Sequence, residues 1–309
     1  MRGMTAYAAP RSIASDLPAS RTGGRQQPGV RDPFGVHLRH WRQRRRLSQL
    51  DLAQEAEVST RHLSYVETGR AAPSREMVLR LAERLEVPLR ERNALLVAAG
   101  YAPMYRQRAL DDPALAAARQ AVELVLKGHA PYPALAIDRH WNLVAANAVV
   151  PLLLAGASPA LLEAPVNVLR LSLHPEGLAP RIANLTQWRA HLLERLQQQI
   201  AATGDATLQS LHDELAAYPT PAVGHAAQAP VGGELAGVVV PFQLATPHGV
   251  LSFISTTTIF GTPVDVTLQE LAVESFFPAD ARTAATLAQL AVDGAAQVAL
   301  HQPASDTGD

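Results

Sequence analysis

Residues 48–69, with the sequence SQLDLAQEAEVSTRHLSYVETG, contain two helix starts within a single short stretch. Ser48 and Ser59 each precede a short amphipathic run, and a serine hydroxyl in that position accepts hydrogen bonds from the free N–H groups of a helix's first turn. The turn between the two runs is too short for a crossover connection between parallel strands. Gly69 can adopt a positive φ angle and so ends the second run. The stretch predicts two short helices, the second over residues 60–68.

Apolar residues at helical spacing predict three more helices around this pair, one over residues 31–46 and two that open at Ser74 and Pro88. The residues expected to point inward across the five helices are Phe34, Leu38, Trp41, Leu52, Ala53, Leu63, Val66, Met77, Val78, Leu81, Leu85, Leu95 and Leu96. Five short helices in so few residues indicate an all-α domain, which we place at residues 31–103.

A helix, a tight turn and a second capped helix form a helix-turn-helix, whose second helix lies in the major groove of DNA. The outward residues of that helix, Thr60, Arg61, Ser64 and Tyr65, are the candidates for base contacts, and we call them the reading face. A guanidinium group matches O6 and N7 of guanine in a bidentate pair. Arg61 alone would be an ordinary surface arginine, but the spacing, the caps and the local charge favour base reading.

Two residues beside the reading face are candidates for contacts with DNA phosphates. Gln49 lies near the start of the first helix of the pair, where an amide can hold a phosphate, and Arg70 follows the terminating glycine. His62 lies within the second helix. Its position leaves two interpretations open, a contact with DNA or packing against a neighbouring helix.

The charge of the chain is divided unevenly, although the whole carries a net charge of only -1. Residues 31–110 hold 15 arginines against 9 acidic residues, a net charge of +6. Residues 111–309 hold 8 basic against 18 acidic residues, a net charge of -10. This split indicates a basic module that meets a polyanion, joined to an acidic module that does not.

The stretch LSQLDLAQEAEVSTRHLSYVETGRAAPS, with AAGYAP at 98–103, resembles the helix-turn-helix of the xenobiotic-response-element family, which is lambda-repressor-like. It also resembles a narrower group within that family, the MmyB-like transcription regulators. The resemblance implies base contacts at Thr60, Arg61 and Tyr65 and phosphate contacts at Gln49 and Ser59. It also implies a second, ligand-binding half. The lack of cysteine fits an intracellular setting, which we take to be the cytoplasm. Because a helix-turn-helix reads one half-site, we expect a dimer that reads two.

The acidic module begins after Asp111, Asp112 and Pro113. Residues 104–130 hold a connecting helix, because Leu115, Ala118, Val122, Val125 and Leu126 repeat at helical spacing. This helix could pair with its copy in a dimer or pack on its own domain.

The run PALAIDRHWNLVAANAVVPLLLAG, 133–156, predicts a strand, a turn, a second strand and a helix capped by Asn147. Leu135 and Ile137 share one face of the first strand. Residues 178–218 are predicted to be helical, because apolar residues repeat at helical spacing in two runs: Trp188, Leu192, Leu193 and Leu196, and then Leu208, Leu211 and Leu215. The order of strand, turn, strand and helix over 133–156 resembles the opening of a PAS domain.

Two long strands, ELAGVVVPFQLAT and GVLSFISTTTIFG, are predicted to meet at the turn Pro247-His248-Gly249, and the run 263–280 after them to pass into helix. This last region again resembles the MmyB-like family. The predicted fold is therefore an all-α helix-turn-helix domain followed by an α+β, PAS-like domain with an antiparallel sheet at residues 131–294. Residues 1–30 and 295–309 are expected to be a disordered arm and tail.

The family resemblance implies a pocket for a small, largely apolar effector such as a fatty acid. Trp141, Trp188 and Phe253 are candidates for its wall. Arg170, Arg181 and Arg189 are candidates for holding a ligand carboxylate, since paired hydrogen bonds from a guanidinium suit that group. The alternative interpretations are that the aromatic residues simply pack in the core and that the arginines form ordinary surface ion pairs.

Catalytic and metal-binding patterns are missing from the sequence. There is no cysteine and no H-E-x-x-H, G-x-S-x-G, P-loop or G-x-G-x-x-G pattern, so we expect no catalytic site, no metal and no cofactor. Proline and glycine interrupt residues 145–162, so we expect no membrane span.

Three functions remain from the sequence. The first is a ligand-responsive regulator that binds a double-stranded DNA operator as a homodimer. The second is a DNA-binding protein whose acidic domain only dimerises or recruits a partner. The third is an enzyme that uses the helix-turn-helix for autoregulation.

Overall fold

The computed structural model describes residues 33–219, 239–260 and 265–300, the last of these segments by backbone alone from residue 292. The predicted arm at 1–30 and the final residues 301–309 lie outside the described residues. The final helix continues to Leu300 and so includes residues 295–300, which were expected to belong to the tail.

The basic module contains the five predicted helices. They are α1 (Phe34–Arg44), α2 (Gln49–Glu55), α3 (Thr60–Glu67), α4 (Arg75–Arg84) and α5 (Leu89–Ala98). Every residue predicted to point inward is buried in one apolar cluster. The all-α prediction for this part of the chain is confirmed.

Side-chain caps explain where these short helices begin. The hydroxyls of Ser48, Ser59 and Ser74 each accept a hydrogen bond from the backbone N–H three positions later. At α2 the cap is reciprocal, because the Asp51 carboxylate accepts from the Ser48 N–H at 2.9 Å. Gly69 has a φ of +73° and follows the last turn of α3, as predicted.

Gly35 allows α1 to cross the end of α3 at close range. A Cβ atom at this position would lie 2.3 Å from the backbone oxygen of Glu67. Backbone atoms cannot rotate away as a side chain can, so only glycine fits without moving one helix. The crossing of α1 and α3 therefore depends on a residue with no side chain.

The second half of the chain is built on a five-stranded sheet. Its strands are β1 (Ala134–Ile137), β2 (Leu143–Ala146), β3 (Phe242–Thr246), β4 (Gly249–Ile259) and β5 (Ala272–Pro278). Their spatial order is β2-β1-β5-β4-β3, and all neighbours pair antiparallel. This antiparallel sheet with flanking helices confirms the predicted α+β fold.

Seven α-helices accompany the sheet among the described residues, besides three short 3-10 helices. They are α6 (Ala116–Gly128), α7 (Val150–Leu153), α8 (Val168–Leu173), α9 (Leu185–Thr203), α10 (Ala206–Ala217), α11 (Val266–Gln269) and α12 (Ala281–Leu300). The helical prediction for 178–218 is confirmed from Leu185 onward. Trp188, Leu192 and Leu196 of α9 are buried in the main core of this half, together with Phe253 of the sheet.

The predicted connecting helix is α6, and it packs against the sheet. Val122 and Leu126, one turn apart, are buried against Ala134 of β1 and Val273 of β5. The prediction that Val125 points inward is wrong, since 47% of that residue is exposed. Only the side of α6 that carries Val122 and Leu126 meets the sheet.

The prediction that residues 263–280 pass directly into helix is wrong for most of that run. Only Val266–Gln269 forms a helical turn, and Ala272–Pro278 is the central strand of the sheet. Glutamine, glutamate and leucine favour helix locally, but β5 pairs with β1 on one side and β4 on the other. Pairing on both edges outweighs a weak local propensity.

Two smaller predictions also need correction. Asn147 does not cap α7; its buried amide accepts from the Ala134 N–H and donates to the carbonyl of Tyr132, so it fixes the start of β1. The strand predicted from 234 begins only at Phe242 among the described residues, and 234–238 lie outside them. The Pro247-His248-Gly249 turn is confirmed, with Thr246 paired to Gly249.

Candidate nucleic-acid interface and ligand cavity

The reading face lies on the surface of α3. Thr60 and Arg61 are exposed, and Ser64 and Tyr65 are partly exposed. The Arg61 Nε donates to the Tyr65 hydroxyl at 3.0 Å, and its guanidinium carbon lies 5.4 Å from the centre of the Tyr65 ring. The Arg70 guanidinium carbon lies 6.0 Å from the same ring. The structure thus brings two exposed arginines to one aromatic ring on the outward side of α3.

The other two phosphate candidates are engaged within the protein. The Ser59 hydroxyl accepts from the His62 N–H, and the Gln49 amide donates to the Glu67 carboxylate at 2.7 Å. His62 is exposed, so it does not pack against a neighbouring helix.

Glu67 was not singled out from the sequence, although it joins three helices. Its side chain is fully buried and accepts from Arg42 of α1 at 2.7 and 3.0 Å and from Gln49 of α2. Burial acts to raise the pKa of Glu67, but the hydrogen bonds from Arg42 and Gln49 together lower it. The carboxylate therefore stays charged and holds α1, α2 and α3 at fixed angles.

An apolar cavity of about 110 Å³ lies between the sheet and helices α8 and α9. Of the twenty described residues that line it, seventeen are apolar or aromatic, including the predicted Trp141, Trp188 and Phe253. The other three are Ser172, Arg195 and Glu274. The part of the wall that the described residues form is thus apolar except at these three side chains.

None of the three arginines proposed as ligand anchors lines this cavity. Arg170 forms an ion pair with Glu214 at 2.7 Å, while Arg181 and Arg189 donate to backbone carbonyl groups. Arg195 lines the cavity instead. It follows Trp188 by seven residues on α9, so helical spacing would have placed the two on one face.

Arg195 belongs to a compact polar group at the edge of the cavity. It donates to both oxygens of Glu274 and to the Thr257 hydroxyl, and Thr257 donates to Glu274 at 2.8 Å. Its guanidinium carbon lies 4.7 Å from the centre of the Trp141 ring. Only 5% of the Glu274 side chain is exposed. The positive charge of Arg195 is therefore balanced by Glu274 at the polar edge of the cavity.

A second, larger space of about 640 Å³ lies between the helix-turn-helix module and the sheet domain, and we call it the interdomain cleft. Among the described residues, six acidic and four arginine side chains line it. Trp141 and Arg195 line both this cleft and the apolar cavity. These two side chains therefore form a wall shared by an apolar and a polar space.

Ion pairs and hydrogen bonds cross the interdomain cleft. Arg90 of α5 forms a bidentate pair with Glu270 at 2.7 Å, and the Leu89 N–H donates to Gln269 at 2.8 Å. Arg139, two residues before Trp141, lies 3.6 Å from Glu270. A chain of contacts thus runs from the turn that carries Trp141 to α5.

Trp141 has a φ of +67°, which is rare for a bulky residue. The Asp138 carboxylate holds the surrounding turn by accepting from the N–H groups of His140 and Asn142, each at 2.8 Å. The Trp141 indole N–H donates to Gln199 of α9 at 2.8 Å. Backbone strain of this kind concentrates at functional sites, and here it places an indole on the shared wall.

The described residues 33–219, 239–260 and 265–300 contain no cluster of histidine and acidic side chains that could hold a metal ion. In the same part of the chain, no helix combines the length and the apolar character needed to cross a bilayer.

An exposed reading helix on a helix-turn-helix, joined to a sheet domain that encloses an apolar cavity, defines a transcription regulator with a separate ligand-binding domain. The family model described as the MmyB-like transcription regulator ligand binding domain matches residues 118–290. A helix-turn-helix domain model matches residues 33–95. The chain belongs to the MmyB-like transcription regulator family. No curated protein gives a match.

Proposed function

We propose that the protein regulates transcription by binding an operator through α3, and that a small, largely apolar molecule in the cavity modulates this binding. One observation carries the proposal: Trp141 and Arg195 line both the cavity and the interdomain cleft. A ligand that presses on this wall in the cavity also acts on the cleft, whose other side belongs to the DNA-binding module.

The cavity sets a limit on the effector. Its volume of about 110 Å³ is below the ~300–1,000 Å³ typical of pockets for drug-sized ligands. A small apolar molecule fits without change, whereas a long acyl chain has to displace part of the wall. Trp141 is the side chain whose displacement would join the cavity to the cleft.

Coupling to DNA follows the contacts across the cleft. Displacement of the Trp141 turn moves Arg139, which lies 3.6 Å from Glu270. Glu270 holds Arg90 of α5, so the orientation of the helix-turn-helix changes with the occupancy of the cavity. A ligand shifts such an equilibrium only by the difference in its affinity for the two states.

On DNA, Arg61 and Tyr65 contact bases while Arg70 contacts a phosphate. A homodimer places two copies of α3 on half-sites about one helical turn apart. We place this activity in the cytoplasm, with DNA and the effector as partners.

The proposal is tested first by identifying both ligands. Small molecules extracted from the purified protein are identified by mass spectrometry, and an operator is selected from random DNA with the full chain. Operator affinity is then titrated with and without each extracted molecule. We expect a shift of about 5- to 150-fold, the usual range of allosteric coupling. A bound molecule that leaves operator affinity unchanged would refute modulation.

A variant at the cleft tests the route of coupling. Glu270→Gln removes the charge that holds Arg90, so ligand and DNA should each still bind but no longer influence one another. Glu214→Gln is the matched control, because it alters a bidentate arginine pair away from the cleft. Equal coupling in both variants would contradict this route.

A second candidate is that the sheet domain serves only dimerisation. It is favoured by exposed apolar residues on α6 and on strand β5: Leu124 and Val125 of α6 are 64% and 47% exposed, and Phe277 of β5 is 42% exposed. The His129 ring, one turn after Val125, packs edge-on against Phe277 at 4.7 Å. If this patch is the dimer contact, Val125→Glu should yield monomers in sedimentation and weaken operator binding without any ligand.

A further inference from the structure

The polar groups on the cavity wall already have partners within the protein. Arg195 is neutralised by the Glu274 carboxylate, which holds it with two hydrogen bonds. Ser172 accepts from the Trp188 indole at 3.1 Å. Among the residues that the structure describes, the wall of this cavity therefore presents no uncompensated charge.

Hydrogen-bond donors nevertheless remain on the cavity wall. A guanidinium has five N–H groups, and the contacts with Glu274 and Thr257 use three of those on Arg195. The Ser172 oxygen acts as an acceptor towards Trp188, which leaves its own O–H to donate. The site can thus donate to a ligand oxygen without supplying a net charge.

A carboxylate ligand would leave an excess negative charge in this cavity. Two negative charges, that of the ligand and that of Glu274, would then share the single positive charge of Arg195 in a site that is otherwise apolar. An excess buried charge is expensive because it loses hydration without gaining a full counter-charge. An uncharged carbonyl oxygen would accept a hydrogen bond and leave the Arg195–Glu274 pair intact.

We propose that the effector is an uncharged molecule, with a small apolar body and one hydrogen-bond acceptor such as the carbonyl of a ketone, ester or amide. This inference rests on the proposed function, since it names the ligand class of the same cavity. It differs from the fatty acid that the family resemblance implies. The apolar body occupies the cavity, and the acceptor lies at Arg195.

The size of the cavity agrees with a small body. An engineered protein cavity of about 150 Å³ binds benzene. The present cavity, at about 110 Å³, accommodates a slightly smaller group, and a polar head can extend past Arg195 towards the cleft.

The test compares head groups of equal size and different charge. 2-Hexanone, pentanamide and pentanoate have the same number of non-hydrogen atoms and the same butyl chain. Each is titrated into the full chain at about pH 8, where the acid is ionised. Binding is followed by NMR at the indole N–H signals of Trp141 and Trp188, which line the cavity, with Trp41 of α1 as an internal reference.

We expect 2-hexanone and pentanamide to bind with Kd values at least tenfold lower than that of pentanoate. Pentanoate binding as tightly as the neutral probes would overturn the inference while leaving a ligand cavity in place. If none of the probes shifts Trp141 or Trp188, both the inference and the ligand-binding part of the proposed function fail.

A charge-neutralising substitution gives the opposite preference. Glu274→Gln leaves the Arg195 charge unbalanced, so pentanoate should now bind more tightly than 2-hexanone. Glu214→Gln, the control at a surface pair, should retain the wild-type preference for neutral probes. An unchanged order of affinities in folded Glu274→Gln would refute the role of charge balance. If that variant does not fold, the wild-type comparison still decides the question.

Discussion

Replacing Glu67 by glutamine should loosen the helix-turn-helix without altering its reading face. The two carboxylate oxygens accept three hydrogen bonds, two from Arg42 and one from Gln49. In glutamine, one of these positions becomes an NH₂ group that faces another donor. Arg42, whose side chain is only 12% exposed, also loses its counter-charge.

The expected loss follows from this geometry. Removing one partner of a buried ion pair costs about 3–5 kcal/mol. Arg42 retains a hydrogen bond to the Leu47 carbonyl at 2.8 Å and some contact with water, so the lower end applies. A loss of about 3 kcal/mol corresponds to a ~150-fold increase in the opening of α3.

Hydrogen exchange measured by mass spectrometry is the suitable assay, because it reports each part of a two-domain chain separately. Peptides from α1 and α3 should exchange ~150-fold faster in Glu67→Gln. Peptides from α9 and α10 should be unchanged. Exchange in α3 accelerated by less than about fivefold would show that Glu67 does not hold the helices together.

A double variant separates the charge from the packing. Arg42→Met with Glu67→Leu removes both charges and keeps apolar volume. Such replacements of a buried pair are often close to neutral. We expect the double variant to exchange more slowly than either single variant, and additive losses would contradict the account of Glu67 as a charge partner.

Further predictions concern the same module. Arg61→Ala should cost about 1–3 kcal/mol on the selected operator and relax one base position, and an equal loss on random DNA would exclude base reading. Arg70→Ala should weaken binding uniformly and reduce the salt slope by about one unit, which titrations at several salt concentrations would detect. Gly35→Ala places a Cβ 2.3 Å from a backbone oxygen, so chemical denaturation should show a loss of at least about 2 kcal/mol. The pKa of Glu67 is lowered in the folded state, so the stability it supplies should be complete above its unfolded pKa of about 4.3 and lost as the pH falls further. A Glu67→Gln difference that persists undiminished at lower pH would contradict this assignment.

The helix-turn-helix could be predicted closely because its determinants are local in sequence. Ser48 and Ser59 cap helices within three residues of themselves, and Gly69 ends α3 by its own backbone angle. Apolar spacing then identified the buried side of each helix. The reading face follows from the same periodicity, since residues opposite Leu63 and Val66 must point outward.

The features that were missed depend on contacts distant in sequence. The strand β5 is formed by pairing with β1, more than a hundred residues earlier, and its own residues favour helix. Glu274 acquires its partner Arg195 only when β5 lies beside α9. Composition alone therefore indicated Arg170, Arg181 and Arg189 as anchors, whereas the arginine that lines the cavity is Arg195. Local patterns predicted elements; they could not predict which charges become neighbours.

The buried carboxylate of Glu67 has a consequence for regulation. Because it ties α1, α2 and α3 together, the chemical preference of α3 for bases should be the same in every state of the protein. An effector can then only reorient the helix-turn-helix module as a rigid unit. On an operator with two half-sites, we expect the effector to change the tolerated number of base pairs between the half-sites, while the bases within each half-site stay the same.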